Sequence, residues 1–339
     1  MSEKIDVLMT MLFSDELMKQ LESISPRLVF YPYKANRVED IPPDSWATAQ
    51  VLYTGRVLPA PELAPNLRWV QFHLAGIDHA KDAPILHRDG VITTTVSGIS
   101  ASQVGEYILM MLLALGHHLP DLIEYQRKST WPKDRFERFA PRELRGSTVG
   151  LVGYGSIGRQ VARLLHDFGA KVLAAKLDGK NPKDLGYTIE GQGDPEGDYV
   201  HRIYPVEALR SMAKSCDYLV VTTPLTAKTR NLVNDEVFQV MKETACIVDA
   251  SRGGVINQAD LINALRERKL GGAALDVFTE EPLLPDNPLW KFPNVLISPH
   301  IAGNSIHYDE RAVELFTVNL RRYLEGEPLL NVVDWEKGY

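Results

Sequence analysis

Along the first third of the chain, short apolar runs alternate with stretches of helical spacing. Asp6 to Leu12 is followed by Leu17, Leu21 and Ile24, and then by runs at Leu28 to Tyr31, Ala49 to Tyr53 and Leu67 to Phe72. Short apolar runs separated by helices predict a parallel sheet with crossover helices. From Ser102 to His118 the pattern is helical and apolar almost all round (Val104, Tyr107, Ile108, Met111, Leu112, Leu115), which predicts a helix buried between two bodies. An amphipathic, charged stretch, Asp121 to Arg145, comes next.

A second and stronger alternation begins at Ser147. Strands are predicted at Thr148 to Val152, Lys171 to Ala175, Tyr218 to Thr222, Ala245 to Asp249, Gly272 to Asp276 and Val295 to Ser298, with helices such as Val206 to Ala213 and Gln258 to Arg268 between them. Six strands joined by right-handed crossovers make a doubly wound, dinucleotide-type sheet. Tyr308 to Leu324 is helical again and is expected to pack back onto the first part. The expectation is an α/β protein with two doubly wound parallel sheets. A second domain at 116–301 interrupts a discontinuous first domain at 1–115 and 302–339.

A length of 339 residues already favours two cores over one. The net charge of −7 carries no basic footprint for nucleic acid. Cys216 and Cys246 are the only cysteines and lie far apart, which excludes a disulfide framework or a CxxC motif and suits a reducing cytoplasm. Glu3, Lys4 and Asp6 stand where a signal peptide would be apolar, and the longest apolar run, Tyr107 to Leu115, is too short for a bilayer. Neither a membrane nor a metal partner is expected: His117, His118 and His307 lack metal-like neighbours at helical spacing, and read as polar residues at the domain junction.

Val149-Gly150-Leu151-Val152-Gly153-Tyr154-Gly155-Ser156-Ile157-Gly158 places GxGxxG between an apolar strand and a helix. Gly153 permits the tight turn, Gly155 lets the backbone approach a pyrophosphate, and Gly158 lets helix and strand pack closely. Free N–H groups at the helix start then meet the diphosphate charge. The residue facing the adenosine ribose should stand about 20 positions on, at the end of the next strand. Lys176 occupies that place, with Lys180 and Lys183 nearby and Asp178 opposing them. An acid there repels a 2′-phosphate and a lysine attracts it. NAD(P) is therefore the expected cofactor, with a lean to NADP. The alternative is a solvated charge at a strand end.

Three downstream segments put polar residues at strand C-termini, where open α/β sheets bind ligands. They are Asp249-Ala250-Ser251-Arg252-Gly253-Gly254, Leu275-Asp276-Val277-Phe278-Thr279-Glu280-Glu281-Pro282 and Ser298-Pro299-His300-Ile301-Ala302-Gly303. With the glycine loop and Leu74-Ala75-Gly76-Ile77-Asp78, this ordered set resembles the D-isomer-specific 2-hydroxyacid dehydrogenase family over nearly the whole chain. The resemblance implies a Rossmann-type cofactor domain inserted in a flavodoxin-like substrate domain. It also implies hydride transfer between a nicotinamide and C2 of a small 2-hydroxy or 2-keto acid.

By that resemblance, Arg252 clamps the substrate carboxylate, a task suited to a planar, permanently charged guanidinium. His300 is the general acid/base. Glu281 orients the imidazole and favours its protonated form, while Glu280 is left to solvent. Backbone N–H groups near Ala75 and Gly76 receive the substrate carboxylate. Asp276 faces the nicotinamide carboxamide, and Ser156, Ile157, Thr223, Ala250, Ser251 and Gly303 line the cofactor with Arg252 and His300. Glu106 is a buried anchor, and Asp121 to Arg145 resembles a dimerisation arm, implying a homodimer. Glyoxylate or hydroxypyruvate is the expected substrate.

One departure stands out, a long segment between Lys176 and Tyr204 that contains Gly191-Gln192-Gly193-Asp194-Pro195-Glu196-Gly197-Asp198. It reads as an exposed hairpin or mobile surface loop, with a flap over the adenosine end of the cofactor as the alternative. Two other functions remain open from sequence: a dinucleotide-sensing, corepressor-like binding protein, and a phosphite-type oxyanion dehydrogenase.

Overall fold

A computed structural model describes residues 4–179, 181–184 and 186–338. The chain divides into two compact units, one of residues up to Ile99 with those from Ser305 onward, the other Ser100–Asn304. In the first unit lie β1 (Ile5–Met9), α1 (Asp15–Glu22), β2 (Leu28–Pro32), α2 (Pro43–Thr48), β3 (Val51–Thr54), β4 (Trp69–Phe72) and β5 (Ile92–Thr94). The parallel sheet runs β2-β1-β3-β4-β5, the doubly wound order of a flavodoxin-like domain. Ser14 starts α1 by accepting the N–H of Leu17, with Asp15 and Glu16 favourably placed in its first turn.

Alternate residues of the same strands feed two cores. Leu8, Leu52, Val70 and Phe72 face one, and Val7, Met9, Val51, Tyr53 and Trp69 face the other. The helix from Tyr308 to Glu325 closes the second core with Val313, Phe316 and Leu320. Phe316 is fully buried, its ring centroid 4.6 Å from that of Tyr53 and 5.4 Å from that of Trp69. Truncating such a ring to alanine costs about 3–5 kcal/mol.

The second unit holds α3 (Ala101–Gly116), α4 (Leu119–Arg127), α5 (Arg135–Arg138), β6 (Thr148–Val152), α6 (Ser156–Asp167), β7 (Lys171–Lys176) and β8 (Arg202–Pro205). It continues with α7 (Leu209–Ala213), β9 (Tyr218–Val221), α8 (Asp235–Phe238), β10 (Cys246–Asp249), α9 (Gln258–Arg266), β11 (Gly272–Leu275) and β12 (Val295–Ile297). Its parallel sheet runs β12-β11-β10-β9-β6-β7-β8, a Rossmann-type order that reverses between β6 and β9. Seven strands stand where the sequence pattern gives six. The added β8 is a short edge strand of mixed polarity, Arg202-Ile203-Tyr204-Pro205, paired with β7, and it lacks the apolar run that marks the others.

The first cut falls before α3 and not after it, because Val104, Ile108 and Leu112 share a core with Val161, Ala162 and Leu165 of α6. Glu106 on α3 is exposed, which corrects its reading as a buried anchor: Val104, Gly105, Tyr107 and Ile108 are the buried residues around it. Cys216 and Cys246 are free and buried. Among the described residues no helix is long and apolar enough to cross a membrane.

Candidate active site

β6 ends at Val152 and α6 begins at Ser156, so Gly153 to Gly155 turn the chain at the point where strand order reverses. Gly153 has φ +108°, and a Cβ there would press the Thr223 methyl at 2.9 Å. A Cβ on Gly158 would collide with the Gly153 carbonyl oxygen. A Cβ on Gly155 would meet nothing within 4 Å, so the space before the helix N-terminus is open. Ser156 and Ile157 form the first turn of α6, half-buried and with no side chain capping the helix. The Thr223 hydroxyl, after β9, is buried with no hydrogen-bond partner. An open cradle, uncapped N–H groups and an orphaned hydroxyl fit a dinucleotide diphosphate.

Lys176 ends β7 and is half-buried. Its Nζ donates to the Asn181 carbonyl at 2.8 Å, and burial followed by the nearby Arg159 charge lowers its pKa. Lys183 pairs with Glu196 at 2.7 Å, while Lys180 lies outside the described residues. The segment expected as an exposed hairpin or mobile loop is largely exposed, but Gly193 and Asp194 within it are buried against α6. Asp194, 2% exposed, accepts the Tyr154 hydroxyl, and its carbonyl accepts the Arg159 guanidinium. A buried carboxylate inside a glycine-rich stretch has no periodic signature, so the sequence pattern shows only a loop.

The other end of the sheet carries the acid–base pair. Glu281, after β11, accepts the Phe278 N–H at 3.0 Å with one oxygen and stands 2.8 Å from His300 Nδ1 with the other. His300, after β12, has a side chain 44% exposed, which leaves Nε2 for a substrate. Its φ of +54° is a strained, left-handed conformation, costing roughly 1–3 kcal/mol and persisting only when neighbours over-determine it. Asp276 supplies that restraint. Its carbonyl accepts the His300 N–H at 2.9 Å, and its carboxylate accepts Ser298 Oγ, Ile301 N–H and Ala302 N–H at 2.6, 2.9 and 2.9 Å. Asp276 is 1% exposed, and its carboxylate is engaged by the histidine loop.

Arg252 follows β10, the neighbour of β11, and donates from Nη1 to the Ser251 carbonyl at 2.7 Å. A Cβ on Gly253 would overlap the Phe278 carbonyl, so the Arg252 and Glu281 loops touch only because glycine stands there. Ala250 and Ser251 are buried at the same strand end. Asp249 accepts the N–H and hydroxyl of Ser251 at 3.0 and 2.6 Å, and burial pushes its carboxyl up to about 7. Gly303 gives its carbonyl to Gln103 at 3.1 Å. Sequence reading missed the reach of Tyr107, whose hydroxyl lies 2.6 Å from Ser298 Oγ and extends the Asp276 network to α3. The apolar pattern around Tyr107 marks only core.

Ala75 and Gly76 belong to the first unit, in the loop after β4, with Ala75 exposed and Gly76 half-buried. His73 anchors the start of that loop. Its Nδ1 is 2.7 Å from the Tyr53 hydroxyl, its Nε2 is 3.4 Å from Asp309, and its carbonyl accepts the Tyr308 hydroxyl. Only folding brings these distant positions together.

Residues 109–302 match the family model for the NAD binding domain of D-isomer specific 2-hydroxyacid dehydrogenases. A glyoxylate reductase from Thermofilum pendens is 34% identical over 267 residues, 78% of this chain and 74% of its own. Among solved structures, a D-isomer specific 2-hydroxyacid dehydrogenase from Xanthobacter autotrophicus in complex with NADPH and MES is 26% identical, with a TM-score of 0.79 and full coverage of both chains. The NADPH-dependent glyoxylate/hydroxypyruvate reductase of Sinorhizobium meliloti in complex with NADP and sulfate is 26% identical with a TM-score of 0.77, covering 99% of this chain and 100% of that one.

Proposed function

Because the chain belongs to the D-isomer specific 2-hydroxyacid dehydrogenase family, we propose that it reduces a small 2-ketoacid, glyoxylate or hydroxypyruvate, with NADPH preferred over NADH. The observation that carries this reading is the Glu281–His300 pair at 2.8 Å, set at the same sheet edge as the Arg252 loop. When bound, the nicotinamide supplies or takes the hydride. Gly153, Gly155, Gly158, Ser156, Ile157 and Thr223 hold its diphosphate half, with Ala250, Ser251 and Gly303 lining the rest.

Arg252 holds the substrate carboxylate and polarises the C2 oxygen. Glu281 fixes Nδ1 of His300, so that Nε2 gives a proton to that oxygen in reduction or removes it in oxidation. Asp276 acts through His300 as a positioning residue. The amides of Ala75 and Gly76 are assigned to the substrate carboxylate on the strength of their motif. NADP preference is supported by Lys176 at the end of β7 and by structural relatives in complex with NADP or NADPH.

A homodimer in the cytoplasm completes the reading. Trp131 and Phe136, 83% and 79% exposed, lie with Leu122 and Ile123 on the α4–α5 arm as uncovered apolar surface, and two free thiols suit a reducing compartment. Initial rates with glyoxylate, hydroxypyruvate and pyruvate, each with NADPH and NADH, test the proposal. Turnover of glyoxylate or hydroxypyruvate, faster with NADPH, is expected. Absence of turnover with every pair, despite coenzyme binding, would overturn it in favour of a sensing role.

A further inference from the structure

The glycine loop is held from outside by a segment that the acid–base chemistry does not use. Tyr154 sits between Gly153 and Gly155, and its hydroxyl donates to the Asp194 carboxylate. The same carboxylate accepts the backbone N–H groups of Gly197, Asp198 and Tyr199 at 3.1, 2.8 and 2.9 Å, so it closes its own turn while gripping the loop. Arg159, directly after Gly158, is 1% exposed and lies over the Tyr154 ring at 4.4 Å. It donates to the carbonyls of Asp194 and Pro182 and stands 3.3 Å from the Asp184 carboxylate. The next residue, Gln160, accepts the Gly193 N–H at 2.7 Å.

The hydrogen-bonding partners on the coenzyme loop are therefore one residue inside GxGxxG and the two that follow it. Further attachments are Lys176, at the end of β7, and His166 and Arg163 of α6, which lie against the Tyr199 ring at 4.9 and 6.0 Å. Those two places, the glycine turn and the end of the second strand, flank the adenosine half of a dinucleotide in a sheet of this order. A glycine-rich turn loses more freedom on ordering than other sequences, and a buried, satisfied polar network restrains it strongly.

We propose that residues 181–184 and 186–199 form a brace for the coenzyme loop, in which Asp194 and Arg159 are positioning residues that set dinucleotide affinity and leave the hydride step untouched. The proposal rests on the reading that a dinucleotide binds at the glycine loop. It departs from a flap, since the brace acts by pre-ordering Gly153 to Gln160 before coenzyme arrives, which lowers the cost of binding.

The test uses two variants of the full chain, Asp194→Asn and Tyr154→Phe. The first removes the charge and puts an amide donor in place of one of the two accepting oxygens, which serve Gly197 and Asp198 on one side and Tyr199 and Tyr154 on the other. The second removes one hydroxyl, keeps the ring under Arg159 and is the variant expected to fold without difficulty. Three quantities are read: NADPH Kd by direct titration, kcat at saturating coenzyme, and amide hydrogen exchange over 153–160 with and without NADPH.

The expected result is a Kd raised about tenfold in Asp194→Asn and about threefold in Tyr154→Phe, on the scale of a lost charge-assisted hydrogen bond. Turnover should stay within about twofold of wild type, since neither side chain touches the reacting groups. Exchange over 153–160 should quicken without coenzyme and return to the wild-type rate when NADPH saturates. A wild-type Kd in a variant whose 153–160 amides exchange faster would reduce the segment to a scaffold and overturn the brace, as would kcat falling by the same factor as affinity. Wild-type protein that binds NADPH but reduces no ketoacid would overturn the reductase reading and leave the brace testable by Kd alone.

Discussion

The two ends of the seven-stranded sheet present loops on the same edge but fix them by different means. At β10, β11 and β12 the functional side chains follow directly on adjacent strands, and strand order alone makes Arg252, Glu281 and His300 neighbours in the sheet. The restraint there is local to the strand ends: one buried carboxylate, Asp276, orders Ser298 to Ala302. At β6 and β7 the glycine turn is pinned at Gly153 by the Ala175 carbonyl and the Thr222 hydroxyl. Further restraint on Tyr154, Arg159 and Gln160 comes from a segment that wraps back onto α6. The difference teaches that orienting a proton donor and ordering the glycine turn are separable problems, solved here by different buried carboxylates, Asp276 and Asp194.

That separation can be broken or sharpened by substitution. The largest effect is expected for His300→Ala, which removes the group assigned to proton transfer. Its kcat should fall by about 10²–10⁴ in ketoacid reduction, measured at saturating substrate and coenzyme. Loss of less than tenfold would move the acid–base role elsewhere. Next comes Glu281→Gln, which keeps an acceptor near Nδ1 but removes the charge beside it. A fall of roughly tenfold in kcat is expected, because orientation survives while the charge-assisted hydrogen bond is lost. An undiminished rate would make Glu281 a spectator.

The smallest effect concerns stability. Burial holds the Asp249 carboxyl at about 7, against 3.8 for an ordinary aspartate. Since the folded-state pKa is the raised one, the folded protein binds the extra proton between those values. The stability this contributes is complete below the lower value and is lost as pH rises through the upper one. Asp249→Asn cannot ionise, so its thermal midpoint should change less than that of wild type between pH 5 and pH 8 (assay settings of about two units around the upper value). Parallel midpoint curves for the two proteins would show that the Asp249 carboxyl does not titrate on folding.

Much of this was legible before folding, and for reasons that differ by region. Fully buried strands write themselves as apolar runs, so Thr148 to Val152 is found with its true ends and β7, β9, β10, β11 and β12 within one residue at either end. GxGxxG is legible because steric need dictates two of its glycines, Gly153 by its φ and Gly158 by contact with the carbonyl of Gly153, while Gly155 borders the open space that a diphosphate would enter. Glu281 and His300 were found because motifs at strand ends put them there. What stayed hidden are contacts whose residue types carry no pattern. Asp194 reads as one polar residue in a polar loop, Tyr107 as one apolar residue in an apolar helix, and β8 is an edge strand without an apolar run. The strand end marks Asp276, but the three donors that its carboxylate accepts from the histidine loop leave no pattern in the sequence.

The claim that catalysis and coenzyme grip are held apart is tested most directly by one titration: the NADPH Kd of His300→Ala, measured on the same preparation that shows the loss of turnover. The account predicts a Kd within about threefold of wild type, as expected when a group contributes mainly to the transition state and little to coenzyme binding. A Kd that rises in proportion to the fall in kcat would contradict it and make the two ends of the sheet a single device.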